Sequence, residues 1–201
     1  MLAVPMDTDQ LAEVIARARE KEPAAFDALV EIYATRLYGY FYRLTGSRHD
    51  AEDLLQELFV RLVRMIGRYE HDGRFDGWLF RIATNLVRDR VRRARQVKVI
   101  RWEPAPGAEL EEADPLASRP DPLACDPRDG LERSEQVDSM QRALARLPEA
   151  EREVLLLRHF SQLSFREIAE LMGTPLGTAL ARAHRGLARL REMMESEMRE
   201  F

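Results

Sequence analysis

Residues 74–95, RFDGWLFRIATNLVRDRVRRAR, join an aromatic and apolar helix face to a dense run of arginines. A stacking surface beside planar cations suits the unstacking and holding of nucleic acid. From Arg81 to Arg101 eight basic residues stand against one acid, Asp89, inside a chain whose net charge is −4. Local charge of that kind favours phosphate. A solvated helix end with arginines placed for the helix dipole has the same composition, and charge alone does not separate the two.

The elements that must carry this segment are helical. Trp78, Leu79, Ile82, Ala83, Leu86 and Val87 recur three and four apart, the helical period. Upstream, Leu11, Val14, Ile15 and Ala18 predict a short helix, and the series from Phe26 to Leu44 predicts a long one ending at Thr45-Gly46. A third begins near Asp50 and runs through Leu54, Leu55, Leu58, Phe59, Leu62, Val63 and Ile66 to Gly67. Residues 69–76, YEHDGRFD, form a turn-rich loop around Gly73.

The chain of 201 residues has 45% apolar content, enough for one ordinary core or two small ones. No run approaches the ~18 apolar residues of a membrane span, and no signal-peptide pattern opens the chain, so membrane insertion is not expected and the cytoplasm is. A single cysteine, Cys125, excludes an internal disulfide, and His49, His71, His159 and His184 show no ligand spacing with it. Metal and cofactor are therefore not expected. No nucleophile-base pair or glycine-rich phosphate loop appears, so an enzyme is disfavoured.

Between residues 103 and 138 there are eleven acids, three arginines and six prolines, and apolar periodicity is lost until about Leu131. Such a stretch cannot bury enough surface to fold alone and reads as a linker. It is a passive tether or, by its charge, a segment able to lie in a basic channel. Further helices follow at about 136–146, 149–160, 164–172 and 175–196. Ser164 and Glu167 have the spacing of a capping box, Gly173 ends that helix, and Thr174-Pro175 starts the next. Two helices joined so tightly make a helix-turn-helix. On the last helix Leu176, Ala179, Ala183, Leu187, Leu190 and Met194 form the expected buried stripe, and Thr178, Arg182, Arg185 and Arg189 another face. No acid occurs between Thr174 and Arg191. Arginines in that setting suit the major groove of DNA.

DAEDLLQELFVRLVRMIGRYE followed by FDGWLFRIATNLVRDRVRR resembles the σ2 domain of bacterial RNA polymerase sigma factors of the extracytoplasmic-function (ECF) group, within the sigma-70 family. LPEAEREVLLLRHFSQLSFREIAELMGTPLGTALARAHRGLARLRE resembles their σ4 domain. The likeness covers most of residues 11–100 and 139–192. It implies an all-α fold of two small helical domains, 1–100 and 136–201, joined by a flexible acidic linker, 101–135. No C-terminal sensing domain is expected.

The resemblance also implies roles. Asp53, Gln56 and Glu57 would dock on the clamp coiled coil of core RNA polymerase. The loop from Tyr69 to Phe75 and the helix through Trp78 and Asn85, with Arg74, Arg88, Arg92 and Arg93, would capture the minus-10 element as it melts. Thr178, Ala181, Arg182, His184 and Arg185 would contact the minus-35 element. Leu180 and Ala181 stand where the family usually carries a basic residue and a serine, and Leu180 falls at the edge of the apolar stripe. The implied partners are core RNA polymerase, promoter DNA and, as a further candidate, an anti-sigma factor. The alternatives are a stand-alone helix-turn-helix regulator, which leaves residues 50–95 without a purpose, and a σ-like interaction module with weakened promoter binding.

Overall fold

Apolar residues spaced three and four apart become helices at each place where the spacing predicts one. The computed structural model describes residues 8–70, 73–100, 137 and 139–199, with side chains described for 9–70, 73–93, 137 and 139–196. The acidic stretch 101–136, with Cys125, lies outside the described residues, as does His71. Among the described residues every regular element is helical.

In the N-terminal half α1 spans Thr8–Arg19, α2 Pro23–Thr45, α3 Arg48–Met65 and α4 Phe75–Ile100, with a 3-10 turn at Ile66–Arg68 after α3. Pro23 opens α2, where its missing N–H costs nothing. Gly46 closes α2 at φ 73°, donating its N–H to the Tyr42 carbonyl at 2.8 Å. The next helix starts two residues before the expected Asp50, because the Ser47 hydroxyl accepts the Asp50 N–H at 3.2 Å and so sets the start. Its Val63, expected among the apolar series, is 47% exposed, while Leu54, Leu58 and Leu62 are buried.

The core of this half is aromatic. Tyr33, Tyr40, Phe41, Phe75 and Phe80 are all at or below 1% exposure, and an apolar side chain of this size contributes about 1.5–3 kcal/mol on burial. Tyr40 and the buried Thr84 share a hydrogen bond of 3.0 Å between their hydroxyls, so α2 and α4 satisfy each other's buried polar atoms.

In the C-terminal half α5 covers residues 139–146, α6 Glu149–Phe160, α7 Phe165–Met172 and α8 Leu176–Arg199. The capping box is present: Ser164 Oγ accepts the Glu167 N–H at 3.3 Å, and Glu167 Oε2 accepts the Ser164 N–H at 2.8 Å. Gly173 at φ 63° makes the tight turn. The last helix begins at Leu176, and the Pro175 carbonyl accepts its first N–H groups, from Thr178 and Ala179. Thr174 therefore does not cap it.

The stripe that α8 buries is also shifted. Ala179 and Ala183 are buried as expected, but Leu176 and Leu187 are 40% and 57% exposed. Gly186 lies on the buried side, where a Cβ would stand 3.0 Å from Leu155 Cδ1 and 3.3 Å from Glu151 Cβ. Close approach of α8 to α6 thus depends on the absence of a side chain. The two halves also touch, chiefly through α6 on α2 and α7 on α4.

Candidate nucleic-acid interface

Arg74 sits at the mouth of α4, its carbonyl accepting the Trp78 N–H at 3.1 Å. From there Trp78, Arg81, Asn85, Arg88 and Arg92 follow at steps of four, three, four, three and four, which align side chains on one face of a helix. Arg81, Asn85, Arg88 and Arg92 are exposed and Trp78 is half-buried. Four expected minus-10 residues and one that the sequence reading used only for its charge, Arg81, thereby share a stripe with Trp78. Arg93 is exposed but lies one residue, about 100°, off it.

Trp78 is held by two rings beneath it. Its centroid is 4.8 Å from Tyr69 and 5.5 Å from Phe75, both buried. Rings that locked keep the indole in one orientation. Beside it opens a cleft of about 380 Å³, with Arg68, Arg74 and Arg81 on the N-terminal side and Glu167, Glu170 and Leu171 on the C-terminal side. A nucleobase with its sugar fits a space of this order, and the wall carries both a π-surface and donors.

Two arginines of the stripe already meet carboxylates. Arg88 Nη2 lies 3.0 Å from Glu153 Oε1, and Arg92 Nη2 3.0 Å from Asp89 Oδ1. Burial pushes the Glu153 carboxyl above the usual range while Arg88 draws it back. Glu167 is held low, first by the Ser164 hydroxyl and then by its backbone N–H, with the Arg74 charge adding to both.

The expected polymerase-docking residues lie on α3. Asp53 is 3.5 Å from Arg90 and 3.7 Å from His49, Glu57 is 2.6 Å from Arg61, and Gln56 is exposed. Arg90 also pairs with Asp50, which ties α4 to α3 on the side away from the Trp78 stripe. Val60, 50% exposed, and Val63 continue the Gln56 face by one and two turns. Val60 was not singled out in the sequence, and Val63 was read only as part of the helical apolar series, since periodicity does not say which apolar side chains a neighbour covers.

On α8 Thr178, Arg182, Arg185 and Arg189 share a face, as the spacing predicts, and Ala181 borders it. The expected lack of acidic partners does not hold. Glu151 of α6, with a side chain only 8% exposed, lies 3.3 Å from Arg185 and 2.8 Å from Arg189. His184 lies two residues past Arg182, about 200° round the helix, and lines an apolar hollow with Met140 and Leu187. The structure does not bring His184 together with the arginines. Leu180, expected at the edge of the buried stripe, is 44% exposed.

Among the described residues no group of His, Cys, Asp and Glu could hold a metal ion, and no helix is long and apolar enough to cross a membrane. Comparison with known proteins decides the family. Residues 29–97 match the sigma-70 region 2 model and residues 138–190 the sigma-70 region 4 model. The chain is 32% identical over 180 residues to the ECF RNA polymerase sigma factor SigW of Bacillus subtilis, covering 90% of this chain and 94% of that one. It belongs to the ECF group of the sigma-70 family.

Other RNA polymerase sigma factors are similarly near. RNA polymerase sigma factor CarQ of Myxococcus xanthus is 35% identical over 178 residues, with 89% of this chain and 94% of CarQ covered. ECF RNA polymerase sigma factor SigE of Mycolicibacterium smegmatis is 38% identical over 176 residues; the match takes in 88% of this chain but 64% of that longer protein. The fold is shared with CnrH, solved with the cytosolic domain of CnrY, at a TM-score of 0.63, 22% identity and 94% and 99% coverage of the two chains. It is shared equally with RpoE of Bartonella quintana, solved with the anti-sigma factor NepR, at 0.64, 23%, 85% and 96%. In this sigma factor the region 2 match takes in most of α2 through α4, and the region 4 match runs from α5 into α8.

Proposed function

We propose that this ECF sigma factor is a dissociable subunit of RNA polymerase that selects promoters, with residues 1–100 reading and melting the minus-10 element and residues 136–201 reading the minus-35 element. The observation that carries this is the single stripe Arg74, Trp78, Arg81, Asn85, Arg88 and Arg92 on α4, with its indole propped on two buried rings. Opening a duplex costs a few kcal/mol per unstacked step, on the order of what one captured and stacked base returns. Binding energy can then replace ATP, while Arg88, Arg92 and Arg93 hold the adjoining strand by its phosphates.

Asp53, Gln56 and Glu57, with the exposed Val60 and Val63, form the docking face for core polymerase: a polar rim beside apolar side chains, as in reversible interfaces. Thr178, Ala181, Arg182 and Arg185 supply the upstream contact, and His184 is the weakest member of that set because it faces elsewhere. The polymerase performs the chemistry. An anti-sigma factor is the expected protein antagonist, and the exposed Leu176, Leu180 and Leu187 of α8 offer it apolar surface.

Run-off transcription with core polymerase and genomic promoter fragments tests the reading. Discrete starts that depend on this protein are expected. If no fragment gives a specific start while the protein alone protects duplex DNA tightly, a stand-alone regulator replaces it. The exposed Leu180 and the pairing of Arg185 and Arg189 with Glu151 favour a second reading, an interaction module with weakened upstream binding. In that case core binding persists without promoter selection.

A further inference from the structure

A cation stands on the core-facing side of α4, where the helical series calls for an apolar side chain. Leu79, Ala83, Leu86 and Arg90 follow at steps of four, three and four, which places them along one side of the helix. The first three are buried and Arg90 is half-buried. An arginine in that register lays its stem on apolar neighbours and keeps its head at the edge, where a carboxylate can meet it.

It meets two, both at the start of α3. Arg90 Nη2 donates to Asp50 Oδ1 and lies 3.5 Å from Asp53 Oδ2, across 40 and 37 residues of sequence. Asp50 is itself held in place. It stands in the first turn of α3, whose positive end favours a carboxylate, and its N–H is donated to the Ser47 hydroxyl. His49 Nε2 lies 3.7 Å from the same oxygen of Asp53.

This clamp falls between two surfaces with proposed roles. On α3, Asp53 belongs to the face proposed for core polymerase. On α4, Arg90 lies two residues from Arg88 and two from Arg92, about 200° round the helix from each. Arg88 and Arg92 are like charges one turn apart, and such neighbours repel and loosen a helix. Pinning Arg90 to α3 opposes that loosening from behind. It also fixes the roll of α4, on which the alignment of Arg88 and Arg92 with the Trp78 indole depends.

We infer that Arg90 is a positioning residue for promoter melting: through Asp50 and Asp53 it locks the basic end of α4 to α3 and holds the strand-binding arginines in line with the indole. Core docking at Asp53 and strand capture on α4 then meet at one joint. The inference rests on the promoter role proposed for the Trp78 stripe. All three side chains of the clamp are partly exposed, and ion pairs of that kind add little to global stability. Loss of the clamp should therefore show in strand capture and not in the melt.

The test uses the full chain with Arg90→Gln, with Asp50→Asn and with both, and leaves Asp53, Gln56 and Glu57 in place. Each protein is assembled with core polymerase on a promoter found by run-off transcription with the wild type. Permanganate footprinting should show open complexes reduced about tenfold by Arg90→Gln, the order of one strand contact left unmade. Asp50→Asn should reduce them less, because Asp53 remains, and should add nothing in the Arg90→Gln background. Core affinity, from competition with labelled wild-type protein, and the urea midpoint should stay at the wild-type level. Unchanged open complexes with Arg90→Gln, or additive losses in the double variant, overturn the inference and leave the promoter reading intact. Core binding that falls in step with open complexes overturns it as well, by placing Arg90 in docking. Absence of promoter-specific transcripts from the wild type sinks the promoter reading itself. Should Arg90→Gln lose helix by circular dichroism, Arg90→Lys, which keeps the charge, decides by the same footprint and competition.

Discussion

The N-terminal half is built around large rings, whereas the fully buried apolar side chains of the C-terminal half, among the described residues, are aliphatic. Tyr33, Tyr40, Phe41, Phe75 and Phe80 fill the first, while Val154, Leu157 and Ile168 fill the second, where Ala179, Ala183 and the glycine at 186 let α8 lie close to its neighbours. A ring core is thick and holds a surface indole in place; an alanine and glycine contact is thin and leaves leucines outside. The difference matches the two tasks proposed. Melting needs a rigid platform whose binding energy is not lost in rearrangement. Reading a duplex already formed asks less of its scaffold.

Charge divides the halves in a second way. Arg88 of the α4 stripe finds its carboxylate, Glu153, in the other half. Arg185 and Arg189 find Glu151 inside their own half. In the upstream role proposed for them, these arginines would share themselves between Glu151 and DNA.

Phe80→Ala should bring the largest loss, about 3–5 kcal/mol of stability for a ring deleted from a filled core, seen as a lower urea midpoint. A loss below 1 kcal/mol would mean that the first half is not the rigid one. Next, Trp78→Ala combined with Asn85→Ala should reduce open-complex formation by the value of a stacked base, about 1–3 kcal/mol, in a permanganate footprint. Core binding should survive; its loss would move these residues into docking or structure.

Gly186→Leu should cost about 1–3 kcal/mol by forcing α8 away from Leu155 and Glu151. Mobility shift on an upstream duplex should weaken with it, and an unchanged melt would show that the close contact is dispensable. Among the arginines, Arg182→Ala should weaken that duplex contact by up to about 1–3 kcal/mol, and Arg185→Ala by less, because Arg185 must first leave Glu151. Equal losses would remove the charge contrast between the halves.

The smallest effect is expected at the capping box. Ser164→Ala should cost about 1 kcal/mol at neutral pH. Because the Glu167 carboxyl is held below its usual range in the folded chain, this stabilisation is full above about pH 4.3 and is lost as the pH falls through the lowered value. Urea melts of both proteins at pH 7 and pH 3 should show the gap closing.

Much of this was legible in the chain because it is local. Helices follow from the spacing of apolar side chains, and Gly46, Gly173 and the Ser164-Glu167 pair mark ends through contacts within four residues. The α4 stripe is legible too, since its steps of three and four need only the helix itself. Exposure was harder. Val63, Leu176 and Leu187 fit the period of a buried stripe yet face outward, because periodicity gives the centre of a face and not the width that a neighbour covers. Gly186 escaped notice because a residue without a side chain carries no apolar signal.

By itself the sequence determined the helices, the ends marked by Gly46, Gly173 and the Ser164-Glu167 pair, and the family, since each depends on contacts along one short segment or on motifs read in order. Only the tertiary structure decided which arginines meet acids. Glu151 lies 34 and 38 residues from its partners and Glu153 lies 65 from Arg88. Pairings across such separations depend on which helix faces pack together, and Gly39, Phe160 and Gly186 set that packing through the room that a missing Cβ leaves.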